Sequence, residues 1–389
     1  MKDFSDVINR RNTNSLKWDV GENELPMWVA DMDFETAPCV TEAIVKKAQS
    51  GVFGYQIVPN EWYEAIIRWW QVRHGFTINK DWLCFCTGVV PAITSSIKRL
   101  TNVGDNVVVL TPVYDIFFHS IENTGRHTLE CPLKYKNGRY SIDFADLEAK
   151  LAEPLSTMLI LCNPHNPIGK VWTKDELKRI GNLCAKYGVT VFSDEIHCDL
   201  TPIGVDYTPF AAVHPICGAI SVTAISASKA FNLAGLQSAA VFASNEQIRN
   251  KVVRGLNSDE IAEPNAFAIE AATAAFSYEG GIWLNGLRTY IAENKATAEA
   301  FLKVNLPEIK SIEQNATYLM WLDCSAITDN AEALCDFIRK ETGLFVSAGN
   351  KYRGNGSYFI RLNVACPEAT LRDGLNRLKV GIAKFKNLF

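Results

Sequence analysis

Lys229 stands in the run Ser226-Ala227-Ser228-Lys229-Ala230-Phe231-Asn232-Leu233-Ala234-Gly235-Leu236, directly after the apolar, β-branched stretch Ile220 to Ile225. That stretch reads as a buried strand, so the lysine sits at the strand's mouth, where an ammonium is not ordinarily left. Partial burial lowers an amine's pKa until it serves as nucleophile and base, while the hydroxyls of Ser226 and Ser228 are suited to an anion such as a phosphate. Taken alone, the residue would be a solvated loop lysine. Other strand ends repeat the pattern. Trp82 to Cys86 runs into Thr87-Gly88-Val89-Val90-Pro91, and a strand, a glycine and a helix start present open backbone N–H groups to a phosphate. Asn106 to Leu110 leads to Tyr114, Leu159 to Cys162 leads to Asn166, and Val189 to Ser193 leads to Asp194.

The elements that must position these residues follow from periodicity. Helices are predicted over Glu61 to His74, Ala92 to Leu100 with Pro91 near the first position, and from Thr173, where Thr173 and Glu176 form a capping box and Gly188 ends the helix. A second apolar run, Ser238 to Ala243, follows the lysine loop. Strands alternating with helices through Asn265 indicate an α/β fold: a large parallel or mixed sheet with helices on both faces. Ligands of such sheets bind at the carboxyl ends of the strands, the edge that collects Gly88, Tyr114, Asn166, Asp194 and Lys229.

Beyond a long amphipathic helix from about Asn285 to Val304, the texture changes. Strands at Ala316 to Asp323, Leu344 to Ser347 and Tyr358 to Val364 alternate with helices at Ala331 to Glu341 and Glu368 to Phe385, a smaller α+β domain. The expected division is an N-terminal arm over 1–48 that joins the small domain, a large domain over 49–284, and the small domain over 285–389.

Composition narrows the function classes. With 389 residues, two domains are expected, and 48% hydrophobic with 21% charged residues is a globular balance. A net charge of −4 gives no footprint for nucleic acid, and no apolar run approaches the length of a membrane span. The first residues lack the apolar core of a signal peptide, so a cytoplasmic chain is expected. The eleven cysteines are scattered without a CxxC pair and read as reduced core residues, and the six histidines form no metal-binding spacing.

Six motifs in this order resemble one family: Trp28-Val29-Ala30-Asp31-Met32-Asp33-Phe34, Gly88-Val89-Val90-Pro91-Ala92-Ile93, Cys162-Asn163-Pro164-His165-Asn166-Pro167, Ser193-Asp194-Glu195-Ile196-His197, the lysine run itself, and Arg361-Leu362-Asn363-Val364-Ala365-Cys366-Pro367. The chain looks like a fold-type-I pyridoxal-phosphate enzyme, in the branch of class I/II aminotransferase relatives that holds cystathionine β-lyases of the MalY/PatB type. That resemblance implies the fold-type-I transferase fold, a pyridoxal 5′-phosphate cofactor and a homodimer with composite active sites. It makes Lys229 the lysine that bonds the cofactor and later serves as base. Asp194 becomes the partner of the pyridine nitrogen, Asn166 a donor to the ring's phenolic oxygen, and Tyr114 a ring-stacking residue. The phosphate falls to the Val89 and Val90 amides and to Ser226 and Ser228, with Tyr55 reaching it from a second subunit. Arg361 becomes the anchor for the substrate α-carboxylate, and Ala30, in the arm, a wall of the substrate pocket. The sequence departs from many transaminases at His197, where those have a tyrosine, so His197 is taken as a ring neighbour without a defined role. The implied reaction is α,β-elimination of a thiol from cystathionine or a related cysteine S-conjugate. The same residues would also serve an aminotransferase. A ligand-sensing or protein-binding module on this fold is disfavoured by the retention of Lys229, Asp194 and Arg361 and by the lack of a DNA-binding segment.

Overall fold

A computed structural model describes residues 4–387. Seven strands form the main sheet: β1 (Leu83–Cys86), β2 (Asn106–Thr111), β3 (His127–Pro132), β4 (Ser156–Cys162), β5 (Thr190–Asp194), β6 (Ser221–Ile225) and β7 (Ala239–Phe242). Their spatial order is β1-β7-β6-β5-β4-β2-β3. Strands β6, β5, β4, β2 and β3 run parallel, and β7 is antiparallel to both its neighbours, which makes the sheet mixed.

Successive residues of a strand point to opposite faces, and both faces here are apolar. Val107, Val109, Met158 and Ile160 pack with Ala92, Ile93, Ile97, Val252 and Leu256, from the helices Val89–Leu100 and Glu246–Ser258. Val108, Leu110, Leu159 and Leu161 pack with Leu177, Ile180 and Cys184 of the helix Lys174–Tyr187. The capping box at Thr173 and Glu176 starts that helix, and Gly188, in the left-handed region at φ 68°, ends it. Such a doubly covered sheet leaves its carboxyl edge as the place where polar side chains can gather.

The smaller sheet is antiparallel. It comprises β8 (Lys310–Ser311), β9 (Leu319–Asp323), β10 (Ser347–Ala348) and β11 (Phe359–Asn363), in the order β8-β9-β11-β10. The run expected as one strand over Leu344 to Ser347 is split. Leu344–Phe345 pairs with Leu25–Pro26 of the arm, while Ser347–Ala348 pairs with β11. The arm divides its contacts: Leu25 and Met27 bury in the core packed on the smaller sheet, the small lobe, whereas Met32, Phe34 and Val40 join the large cluster under the main sheet, the large lobe. Helix Pro38–Gln49 packs on helix Ala268–Ala275 rather than on the small sheet. The connector helix begins at Tyr278, seven residues before its expected start, so the division drawn at 284/285 falls inside one continuous helix, Tyr278–Asn305. Among the described residues, no helix is long and apolar enough to cross a membrane.

Candidate active site

At the carboxyl edge of β1, β4, β5 and β6 lies a cavity of about 310 Å³. Eleven of the residues singled out in the sequence line it: Ala30, Gly88, Val89, Val90, Tyr114, Asn166, Asp194, His197, Ser226, Ser228 and Lys229. Arg361 stands one hydrogen bond away, on Asn166. Tyr55 is the exception. It is 99% exposed and outside the cavity, so a single chain does not bring it to the other residues.

One end of the cavity is an anion cradle. Helix Val89–Leu100 begins three residues earlier than expected, because Gly88 is the N-cap and Ala92 N donates the first helical bond to Gly88 O at 3.1 Å. Val89 and Val90 are the first two helical residues, so their amides lie outside the helical ladder at the positive end of the helix, and Pro91, the third, has no N–H to leave unpaired. Across from them, Ser226 Oγ accepts from Ser228 N at 3.0 Å and donates to Ser238 O at 2.6 Å, which fixes the serine turn. The backbone at Asn232 is left-handed, φ 57°, a conformation asparagine tolerates better than most residues. The same side chain accepts from Met32 N and donates to the carbonyls of Met32 and Phe34, so the lysine loop and the arm are tied together.

Lys229 opens on the cavity while protein encloses its other sides. Burial, reinforced by the Arg361 cation and opposed by Asp31 and Asp194, lowers its amine to a pKa of about 8. Its Nζ donates to Ala30 O at 2.9 Å. Asp194, at the end of β5, is buried and accepts from Ile196 N at 3.1 Å. Burial raises its carboxyl to about 6, against the backbone hydrogen bond and the Lys229 charge, so the group would gain from a cation held beside it. Burial raises the Tyr114 hydroxyl to about 12, with Asp115 adding to the effect. His197 is buried, its Nδ1 has no partner, and burial together with the Lys229 and Arg361 cations lowers its pKa to about 3. It is therefore neutral at physiological pH.

Arg361 lies on β11, only 3% exposed. Its Nη1 donates to Asn166 Oδ1 at 3.2 Å and its Nη2 to Trp28 O at 3.0 Å, while Nε has no partner. Among the described residues it has no carboxylate within ion-pair distance. A buried guanidinium without a counter-ion, next to a buried amine, marks a site for an anionic ligand.

A larger cavity, about 660 Å³, opens elsewhere, between the end of helix Asn60–His74 and the segment after β5. It contains the one group among the described residues close enough to hold a metal, His74, Cys198 and Asp199. The Asp199 carboxylate there already accepts from Trp69 Nε1 and bonds His74, with Arg73 at 3.5 Å, so it forms a closed ion-pair network rather than an open ligand set.

The aminotransferase class I and II family model matches residues 22–378. The chain belongs to that family. Within it, the chain is 44% identical to the cystathionine β-lyase PatB of Bacillus subtilis over 98% of its own length and 100% of the relative's. It is 33% identical to protein MalY of Escherichia coli, over 96% and 97% of the two chains. The crystal structure of cystalysin from Treponema denticola, described as containing a pyridoxal 5′-phosphate cofactor, superposes with a TM-score of 0.95 at 33% identity, covering 99% of both chains. This places the chain in the MalY/PatB branch of the class I and II aminotransferases, with the fold-type-I architecture. The residues present fit pyridoxal phosphate on their own terms: an anion cradle at Val89, Val90, Ser226 and Ser228, a lysine lowered to about 8, and a buried carboxyl suited to a cation.

Sequence reasoning missed the residues that hold the arm over the cavity. Besides Asn232, these are Asn363, whose Nδ2 donates to Val29 O and Asp31 O, and Ser347, whose Oγ donates to Trp28 O. Asn363 lies in a quoted motif, and an amide in a strand that is apolar apart from Arg361 was the available signal.

Proposed function

We propose that the chain is a pyridoxal-phosphate-dependent carbon–sulfur β-lyase that cleaves cystathionine or a related cysteine S-conjugate to a thiol, pyruvate and ammonia. The observation that carries the reading is the lowered amine of Lys229 in one cavity with Asp194 and Asn166, with the buried, carboxylate-free Arg361 hydrogen-bonded to Asn166 at the cavity's wall. When bound, the cofactor supplies an electron sink for the charge left on the substrate's Cα.

The chain's residues do the rest. The Val89 and Val90 amides with Ser226 and Ser228 would hold the cofactor phosphate, Asp194 would keep the ring nitrogen protonated, and Asn166 and Tyr114 would orient the ring. Arg361 grips the α-carboxylate with its two-pronged donor geometry and so aligns Cα–H with Lys229. Lys229 would anchor the cofactor, and its amine, when free, would be the base at Cα. An amine near 8 is deprotonated often enough at neutral pH to accept that proton. The thiolate then leaves Cβ with the C–S bonding pair and can take the proton held on Lys229, and one water hydrolyses the released three-carbon enamine, through its imine, to pyruvate and ammonia.

The functional unit is a homodimer in which Tyr55 of one subunit reaches the phosphate site of the other. Support comes from the exposed apolar stretch around Tyr55, which includes Val52, Phe53 and Ile57. Eleven free thiols suit the reducing cytoplasm, where we place the enzyme.

The test is pyruvate release. Given cystathionine without a keto acid, the lyase forms pyruvate in proportion to thiol for many turnovers. Turnover that stalls after one equivalent and resumes only with 2-oxoglutarate overturns the lyase in favour of a transaminase.

A further inference from the structure

Beside the site, ion pairs join the two lobes, and the one nearest the cavity is between Asp115 and Lys351. Asp115 directly follows the cavity residue Tyr114 and precedes helix Ile116–Glu122. Facing it from the small lobe, the turn Gly349–Tyr352 carries Lys351, whose Nζ is 3.7 Å from Asp115 Oδ2. The turn is held by backbone. Val113 N donates to Tyr352 O at 3.0 Å, and a Cβ on Gly349 would meet Gly356 O at 2.2 Å. The next residue, Arg353, pairs with Glu122 at 2.7 Å. The position of Lys351 relative to Tyr114 is therefore fixed by the chain rather than by the ion pair.

Two cations share one ring. Arg361 Cζ and Lys351 Nζ lie 4.9 and 5.2 Å from the centroid of Tyr352, so they are at most about 10 Å apart, the sum of the two distances. Their fields overlap, because the Arg361 charge lowers the Lys351 amine, after burial and against the pull of Asp115. If Arg361 holds one carboxylate, a short thioether with an amino-acid head at its other end spans a distance of the same order.

We propose that Asp115 and Lys351 recognise a zwitterionic far head on the substrate, Lys351 taking its carboxylate and Asp115 its ammonium. The substrate class is then the thioether of two amino acids, as in cystathionine, in preference to S-alkyl cysteines. This inference rests on the lyase reading above. At 3.7 Å, with side chains 41% and 20% exposed, the pair is looser than a hydrogen bond and accessible to water. Exchanging it for two substrate contacts conserves charge and adds one ion pair. An S-alkyl group offers no such exchange, so the discrimination arises from charge rather than from volume.

The test compares kcat/KM for cystathionine and S-methylcysteine in the holoenzyme and in Lys351→Met, Asp115→Asn and Lys351→Arg. Lys351→Met is expected to lower the value for cystathionine by about tenfold, mainly through KM, and that for S-methylcysteine by less than about twofold. Asp115→Asn shows the same selectivity with a smaller loss, and Lys351→Arg retains the preference. Equal losses on both conjugates would mean that the pair merely holds the lobes, and no loss on either would mean that it does nothing for substrate; both overturn the proposal. If the wild type releases pyruvate from neither conjugate, the lyase reading fails separately. Calorimetric binding of the two compounds to wild type and Lys351→Met then decides: a loss confined to cystathionine upholds the site, and its absence overturns it.

Discussion

The lowered amine of Lys229 makes a quantitative prediction about cofactor capture. At a pKa of about 8, roughly one Lys229 in ten is neutral at pH 7, whereas at the ordinary value of 10.5 it would be about one in three thousand. Only the neutral amine attacks an aldehyde, so the rate at which cofactor-free protein takes up pyridoxal phosphate should climb about tenfold per pH unit below 8 and level off above it. The causes of the shift separate by mutation. Arg361→Gln removes a cation that lowers the pKa, so the inflection moves up, but short of 10.5, because burial is the larger cause and remains. Asp194→Asn removes a carboxylate that raises it, so the inflection moves down. Stopped-flow absorbance of the bound cofactor measures both, without any substrate turnover. Inflections that coincide in all three proteins, or that move in the same direction in both variants, would refute the electrostatic account.

Other consequences are sharp enough to measure. Asp194→Asn should lower kcat for S-conjugates by orders of magnitude with little change in substrate affinity, because its charge matters most when negative charge develops at Cα; steady-state kinetics with a binding titration distinguishes the two. Tyr55→Phe should hasten cofactor loss on dialysis while leaving the melting temperature within about 2 °C, and sedimentation showing a fully active monomer would refute the composite site. Asn232→Ala removes three hydrogen bonds to the arm and leaves buried backbone groups unpaired, a cost of about 1–3 kcal/mol in denaturant unfolding and a weaker hold on the segment over the cavity.

Much of the site was legible because Gly88, Tyr114, Asn166, Asp194 and Lys229 each follow or end an apolar strand. Asp194 and Lys229 are polar groups placed where burial would otherwise be wasted, and that contrast survives without any alignment. Strand β3, by contrast, was not found. It is the edge of the sheet, its sequence His127-Thr128-Leu129-Glu130-Cys131-Pro132 buries only Cys131 fully, and no alternation announces it. Helix Glu246–Ser258 escaped for a related reason, since only Val252, Gly255 and Leu256 of its thirteen residues are buried. The helix at Val89 was predicted to begin late because Pro91 favours the first turn; Gly88 moved that turn forward, and Pro91 took its third position. Tyr55 shows another kind of limit: its expected partner is a second subunit, and one chain leaves it in water.

The arm exposes the deepest gap between sequence and structure, because its order comes from long-range hydrogen bonds rather than from periodicity. Lys17 is 1% exposed, yet its Nζ donates to Asp33 Oδ2 at 2.8 Å and to Asp31 O at 3.0 Å. Asp33 Oδ1 accepts from Trp18 Nε1 and Arg10 Nη1, so both carboxylate oxygens are satisfied. A buried ion pair is tolerable only with its remaining lone pairs filled, and breaking one partner is strongly destabilising. The network therefore gives little net stability but fixes a unique path for residues 28–33. Asn232 grips that path from the large lobe, while Ser347, Arg361 and Asn363 grip it from the small one. Ala30 is thus held against Lys229 by both lobes at once. On the lyase reading proposed above, a substrate seated between Arg361 and Lys229 meets a wall whose position depends on polar side chains far away in sequence, so the arm would bear on specificity as much as the sheet edge does.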